Sequence, residues 1–191
     1  MRETDKNIEF VESYFAKLIE FRNSLDLSKL IEVANKIIQV SLKGGRVFIA
    51  GNGGSCSLAE HFVTDLGVGS LGKGRPVQAI SLTSNNSVVT ATSNDYDFSE
   101  VFSRQLKLYA RANDVLVVIS SSGNSSNLIA CTKLAREIGL VTVGILGFDG
   151  GMIAPEVDLS IHVATPQGEY GPVEDIHSSI CHIIALLVRN S

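Results

Sequence analysis

The stretch RVFIAGNGGSCSLA, residues 46–59, constrains the fold more than any other: a short apolar run breaks into a glycine-rich loop and resumes with helix formers. Val47, Phe48, Ile49 and Ala50 suit a strand covered on both faces, as in a parallel sheet. Gly51, Gly53 and Gly54 permit backbone angles closed to other residues and turn free amide groups toward one point. Ser55 and Ser57 then open a helix whose unpaired N–H groups and dipole favour an anion. The same plan recurs downstream, where the apolar run 115–119 enters Ser120, Ser121, Ser122, Gly123, Asn124, Ser125 and Ser126 before a second helix. Either loop alone reads equally well as a tight turn with serine caps. Two in one chain can face one ligand, and together they predict a phosphate cradle.

The kind of phosphate is narrowed by what the loops lack. Neither ends in Gly-Lys-Ser/Thr, so no lysine meets a triphosphate and no hydroxyl is placed for its magnesium. The dinucleotide fingerprint also fails, because Cys56 occupies its third glycine position. A monophosphate in a serine-rich pocket remains. With 16 basic against 20 acidic residues and no basic run, the chain offers no footprint for nucleic acid, so the phosphate site is local. The charged start, Arg2, Glu3, Asp5 and Lys6, is unlike a secretory signal, and no apolar run reaches membrane-spanning length. Three dispersed cysteines, Cys56, Cys131 and Cys181, suit a reducing cytoplasm without disulfides.

Apolar spacing predicts an amphipathic helix over residues 5–25 and a second carrying Leu30 to Leu42, stopped by Gly44-Gly45. This hairpin, residues 1–44, is read as part of one domain with residues 45–191. Its apolar face exceeds what a sheet needs covered, which points to contact with other subunits. Residues 67–76 read as a glycine-rich rim before a strand at 77–81. Asp97 and Glu100 have the spacing of a capping box opening a helix through Val101, Phe102, Leu106 and Leu108. Strands at 115–119, 141–146 and 159–163 alternate with helices at 126–138 and 173–189, the order of parallel crossovers.

Several motifs together carry a family likeness: GNGGS with HF six residues on, TSNDYDFSEVFSRQL at 92–106, SSSGNSSN at 120–127, GFDGG at 147–151 and EDIHSSICH at 174–182. These resemble the sedoheptulose 7-phosphate (phosphoheptose) isomerases of the sugar isomerase, or SIS, domain superfamily, over nearly the whole chain after the hairpin. The resemblance implies a three-layer α/β/α sandwich with a five-stranded parallel sheet, assembled as a homotetramer with sites between subunits. It implies a sugar phosphate held by Ser55, Ser120, Ser121, Ser122 and Ser125, with Asn52 and Gly53 shaping the first loop and Asn94, Asp95 and Glu174 as further contacts. It also implies a divalent metal, zinc foremost, held by His61, Asp65, Glu174 and His182, with Asp65 and His182 catalytic.

Spacing agrees only in part. His61 and Asp65 stand four apart on one helix face. Glu174 and His182 are separated by about 80° around an ideal helix, so spacing alone selects Asp175, and Glu174 is taken on the resemblance as a first-turn residue. His162, His177, Cys131 and Cys181 read as structural, and Cys56 as a small packing residue. The chain also departs from the family pattern: Asp65 stands for glutamate, Glu174 for glutamine, and Gly69 and Pro172 for arginines. The implied activity is aldose-ketose isomerisation of a phosphorylated sugar, sedoheptulose 7-phosphate first, for lipopolysaccharide or capsule heptose. The alternative is a non-catalytic regulator that binds a sugar phosphate or a protein, as in superfamily members associated with a replication initiator.

Overall fold

Alternation within the apolar runs assigns the apolar strand side chains to one of two cores. The computed structural model describes residues 3–72 and 76–191, as helices α1 (Glu3–Asn23) to α7 and strands β1 (Arg46–Gly51) to β5. Strands β1, β2 (Gln78–Ser81), β3 (Val115–Ser120), β4 (Val141–Leu146) and β5 (Leu159–His162) form one sheet in the order β2-β1-β3-β4-β5. Every neighbouring pair is parallel, with Phe48 opposite Leu116 and Val117 opposite Val143 in register. Successive side chains point to opposite faces. Val47, Ile49, Val115, Val117 and Ile119 therefore join one core, and Phe48, Ala50, Leu116 and Val118 the other.

The first core is closed by α2 (Leu27–Leu42), α3 (Gly54–Leu66) and α7 (Tyr170–Arg189). The second is closed by α5 (Ser103–Tyr109) and α6 (Ser126–Ile138), with Val89 of α4 (Asn86–Asp95) packed against it. The three-layer sandwich with a five-stranded parallel sheet is thus the observed fold. Helix α7 is the longest element of the first core's cover, and it buries Val173, Ile176, Ile180, Ile184 and Val188 along one stripe. Each such side chain contributes roughly 1.5–3 kcal/mol when fully buried, so α7 is firmly fixed against the sheet. Among the described residues no helix is long and apolar enough to cross a membrane.

Three local expectations need correction. The capping box at residue 97 does not open a helix. Asp97 accepts the Ser99 amide (2.7 Å), but only a 3₁₀ turn, Phe98–Glu100, follows, and α5 begins at Ser103. The Glu100 carboxylate accepts from Arg104 Nε (2.7 Å), whose guanidinium lies over Tyr96 at 3.3 Å. Helix α4 was not anticipated, since Ser-Asn-Thr-Val composition favours turns and strands; the Asn85 side chain starts it by accepting the Val88 amide. Third, α7 begins at Tyr170 rather than 173, which changes the phase of Glu174 as shown below. Of the rim at 67–76, residues 68–70 form a 3₁₀ turn and residues 73–75 lie outside the described residues, as do Met1 and Arg2.

Candidate active site

In an open parallel sheet, ligands bind beyond the carboxyl ends of strands, where the strand order reverses direction. Here that point lies between β1 and β3, because the chain continues from β1 outward to β2 and from β3 outward to β4. Both serine-bearing loops leave the sheet at this crevice. They line a cavity of about 330 Å³ with Asn52, Gly53, Ser55, Ser120, Ser121, Ser122 and Ser125, as the sequence leads one to expect.

The two loops are held relative to one another by an amide pair. Asn52 Nδ2 donates to Asn127 Oδ1 and Asn127 Nδ2 donates to Asn52 Oδ1, both at 2.9 Å. Asn127 is fully buried and its Oδ1 also accepts the Leu128 amide, so it pins the start of α6 to the first loop. The second loop is shaped by its own hydroxyls, Ser120 Oγ accepting the Gly123 amide (3.0 Å) and Ser122 Oγ the Asn124 amide (3.3 Å). Ser125, the cap residue of α6, makes no side-chain cap bond. The buried Ser121 Oγ has no partner either. The Ser125 hydroxyl and the α6 amino end are therefore available to an anion, while Ser121 Oγ is enclosed by protein.

A second cluster lies along the contact of α3 with α7. Asp65 Oδ2 is 2.9 Å from His182 Nδ1 and 3.6 Å from His61 Nε2. The two imidazoles meet edge to face with centroids 4.9 Å apart. Donor atoms of His61, Asp65 and His182 all fall within 4.8 Å of one another. Two imidazoles and one carboxylate form a donor set that suits zinc or a similar divalent cation, so the residues present fit a metal.

Glu174 does not join this cluster. Because α7 starts at Tyr170, Glu174 sits a full turn inside the helix, where regular phase holds and turns it away from His182. Its carboxylate packs over Gly54, where an added Cβ would lie 2.5 Å from Oε2. It thereby lines the serine-loop cavity and also an adjoining one of about 240 Å³ with His61, Asp175 and Ser178. Asp175, the residue that spacing selects, accepts a hydrogen bond from the Tyr14 hydroxyl of α1 (2.7 Å). That bond to a carboxylate, with some burial and the charges of Asp175, Glu174 and Glu169, pushes the Tyr14 pKa up to about 12. A third cavity, about 240 Å³, opens on the far side of the cluster and is lined by Asp65 and His182. Glu174, with Gly54 and Ser55, is common to the serine-loop cavity and the adjoining one that His61 lines, while Asp65 and His182 line a separate cavity.

Asn94 and Asp95 do not line the serine-loop cavity. They are exposed at the end of α4, where Asn94 Nδ2 donates to Asp95 Oδ1. Residues missed in the sequence are Asn127 and Tyr170. Asn127 closes the SSSGNSSN motif and was open to recognition, whereas Tyr170 carries no local signal and stacks edge-on against Phe148 (4.9 Å). Cys131 and Cys181 are buried and their thiols are pushed up by it; His177 is wholly buried, with no hydrogen bond to either ring nitrogen.

A fold of this strand order with anion loops at its switch point and an acid–imidazole cluster beside them defines a class, and the sequence agrees: residues 10–147 match the SIS domain model, and the chain belongs to that family. Its relatives within that family include phosphoheptose isomerases. The probable phosphoheptose isomerase of Thermoplasma acidophilum is 34% identical over 93% of this chain and 96% of that one. The structure of phosphoheptose isomerase from Neisseria gonorrhoeae superposes with a TM-score of 0.88 at 31% identity, covering 96% of this chain and 98% of that one. The enzyme from Francisella tularensis does so with the same score at 26% identity over the full length of both.

Proposed function

We propose that the protein interconverts sedoheptulose 7-phosphate and a heptose 7-phosphate of the D-glycero-D-manno type, supplying heptose for a surface polysaccharide. The observation that carries this reading is an anion site at the start of α3 and, between the same α3 and α7, a paired carboxylate and imidazole. The close relationship to phosphoheptose isomerases supplies the substrate.

Shifting a carbonyl from C2 to C1 requires loss of a proton from C1, its return at C2, and transfer of the hydroxyl proton from O1 to O2. Asp65 takes the carbon-bound proton. One of its oxygens faces both histidines, which leaves the other to reach the substrate. His182, oriented by that same carboxylate, passes protons between the two substrate oxygens. Ser55, Ser122 and Ser125 hold the phosphate, so remote binding energy positions the reacting carbons. Glu174 accepts hydrogen bonds from the sugar hydroxyls. His61, Asp65 and His182 would hold a divalent cation, zinc foremost; such a cation would polarise the carbonyl as a Lewis acid.

The exposed apolar residues of α1, Phe10 (71%), Phe15 (60%) and Ile19 (64%), favour contact with other subunits, and the assembly proposed is a homotetramer that acts in the cytoplasm. Light scattering giving a monomer at micromolar concentration refutes that assembly. The reaction is tested by NMR of ketose phosphates incubated in deuterium oxide with metal supplied. Exchange at the carbon beside the carbonyl is expected for the wild type and should fall by about 10²-fold or more in Asp65→Asn. No exchange with any five-, six- or seven-carbon ketose phosphate would overturn the isomerase reading.

A further inference from the structure

We propose that Tyr170 is a ligand-contact residue whose hydroxyl donates a hydrogen bond to the phosphate group held by the serine loops; this rests on the anion site of the reading above. Tyr170 is the first residue of α7 and Glu174 stands four residues later, so the two share one face of the helix, and both line the cavity of Ser122 and Ser125. They stand against different loops. Glu174 packs over Gly54 in the first and lines the adjoining cavity with His61. Tyr170 meets Phe148 edge to face, with centroids 4.9 Å apart. Phe148 follows Gly147, whose amide donates to the Ser120 carbonyl (3.1 Å) and on which an added Cβ would lie 2.8 Å from the Ser121 carbonyl oxygen. Tyr170 is thus seated beside the second loop, where Ser122, Ser125 and the α6 amino end supply donors, and Glu174 beside the first.

A strained residue holds the tyrosine there. Phe148 is bulky yet adopts φ 48°, in the left-handed region, and its carbonyl accepts from His162 Nε2 (3.0 Å) and from the Thr165 amide (3.3 Å). Such a backbone persists only where its surroundings over-determine it, and strain of this kind clusters at ligand sites. Packing accounts for the ring of Tyr170 but not for its hydroxyl. Phenylalanine would make the same edge contact, the residue is 53% exposed, and the hydroxyl takes part in no hydrogen bond among the described residues. No lysine or arginine lines the cavity among the described residues. A phosphate there depends on hydroxyls and backbone amides, with the Glu174 carboxylate on the same wall as a like charge. A phenolic O–H is then a donor of the required kind, and its bond to a phosphate oxygen is charge-assisted and stronger than one between neutral groups.

The test is isothermal titration of the full-length wild type and Tyr170→Phe with inorganic phosphate and, separately, with sedoheptulose 7-phosphate, alongside calorimetry of each protein without ligand. Tyr170→Phe keeps the ring on Phe148 and removes only the donor. It should weaken both ligands by the same factor, about tenfold, and leave the Tm of the ligand-free protein unchanged. Unchanged affinity for inorganic phosphate overturns the contact and leaves the serine loops as the anion site. Loss for the sugar phosphate alone puts the hydroxyl on the sugar and also overturns it, as does a loss accompanied by a lower ligand-free Tm, which assigns Tyr170 a structural role. Phosphate binding that depends on Tyr170, in a wild type that shows no deuterium exchange with any ketose phosphate, upholds the contact and refutes the isomerase reading. A wild type that binds neither ligand at millimolar concentration refutes the anion site and the contact together.

Discussion

Replacing Gly123 with alanine should destabilise the protein far more than the same change at Gly44, although both glycines have positive φ (63° and 75°). Alanine in a left-handed conformation costs about 1 kcal/mol, and at Gly44, with nothing within 4 Å of an added Cβ, that is the whole effect. At Gly123 the added Cβ would overlap the Gly150 carbonyl, 2.6 Å from its carbon and 3.0 Å from the Gly151 nitrogen. These are backbone atoms and cannot rotate aside. The two loops must separate, which strains the bond from the Ile153 amide to the Gly123 carbonyl (3.0 Å) and that from the Met152 amide to Asn124 Oδ1 (3.0 Å). Each is worth about 1 kcal/mol, so the total reaches about 3 kcal/mol. For a domain of this size that lowers Tm by about 10 °C, against about 3 °C for Gly44→Ala. Calorimetry of both variants at one protein concentration measures the difference. Inorganic phosphate should raise the Tm of the wild type and of Gly44→Ala, and scarcely that of Gly123→Ala. Equal shifts for the two variants would refute the claim that backbone contact, rather than torsion, demands glycine at 123.

The His182→Ala variant, purified without chelators or a histidine tag, should lose most bound divalent metal by elemental analysis; unchanged content removes His182 from the metal set. Burial drives the His177 pKa down to about 4, the nearby Leu146 backbone offsetting this only in part and His162 adding to it. The unfolded chain then binds a proton at His177 that the folded one refuses between pH 6.5 and about 4, so stability falls as pH drops through that window, by up to roughly 3 kcal/mol. His177→Leu should flatten that part of the urea-unfolding profile, and an unaltered profile rejects the assignment. Tyr14 behaves in the opposite sense: its raised pKa means the bond to Asp175 stabilises the fold below pH 10 and is lost as pH rises through about 12. Ultraviolet titration of Tyr14→Phe should lack a tyrosine that ionises near pH 12 in the wild type.

Strong, long-range-independent patterns were legible in the sequence. The run Val115–Ile119 is wholly apolar and Val141–Leu146 apolar but for Thr142, because both faces of a central parallel strand are covered, and their bounds agree with β3 and β4 to within a residue. Gly139 ends α6 in a left-handed conformation (φ 88°), as its position after a periodic run suggests. Helix α4 was illegible because its β-branched and Asn/Ser residues are helix-poor, and a side-chain cap together with packing of Val89 on the core decide the matter. Asp97 and Glu100 had the right spacing for a reciprocal cap, but Arg104 competes for the Glu100 carboxylate, a contact that spacing between 97 and 100 cannot register.

The metal and base candidates divide along the same line. His61 and Asp65 are local neighbours on α3, so a four-residue spacing sufficed to pair them. Their meeting with His182, 117 residues from Asp65, depends on α3 packing directly against α7, which only the assembled core determines. Glu174 shows how one boundary carries this argument. Had α7 begun at residue 173, Glu174 would stand in its first turn with its direction open. Beginning at Tyr170, it lies over Gly54 at the mouth of the serine loops. Its carboxylate then lines the edge shared by the serine-loop cavity and the adjoining cavity of His61, where it accepts hydroxyl donors. An anionic side chain in that place favours a ligand that is charged at one end and hydroxylated in the middle, and disfavours one with a second phosphate, such as a ketose bisphosphate.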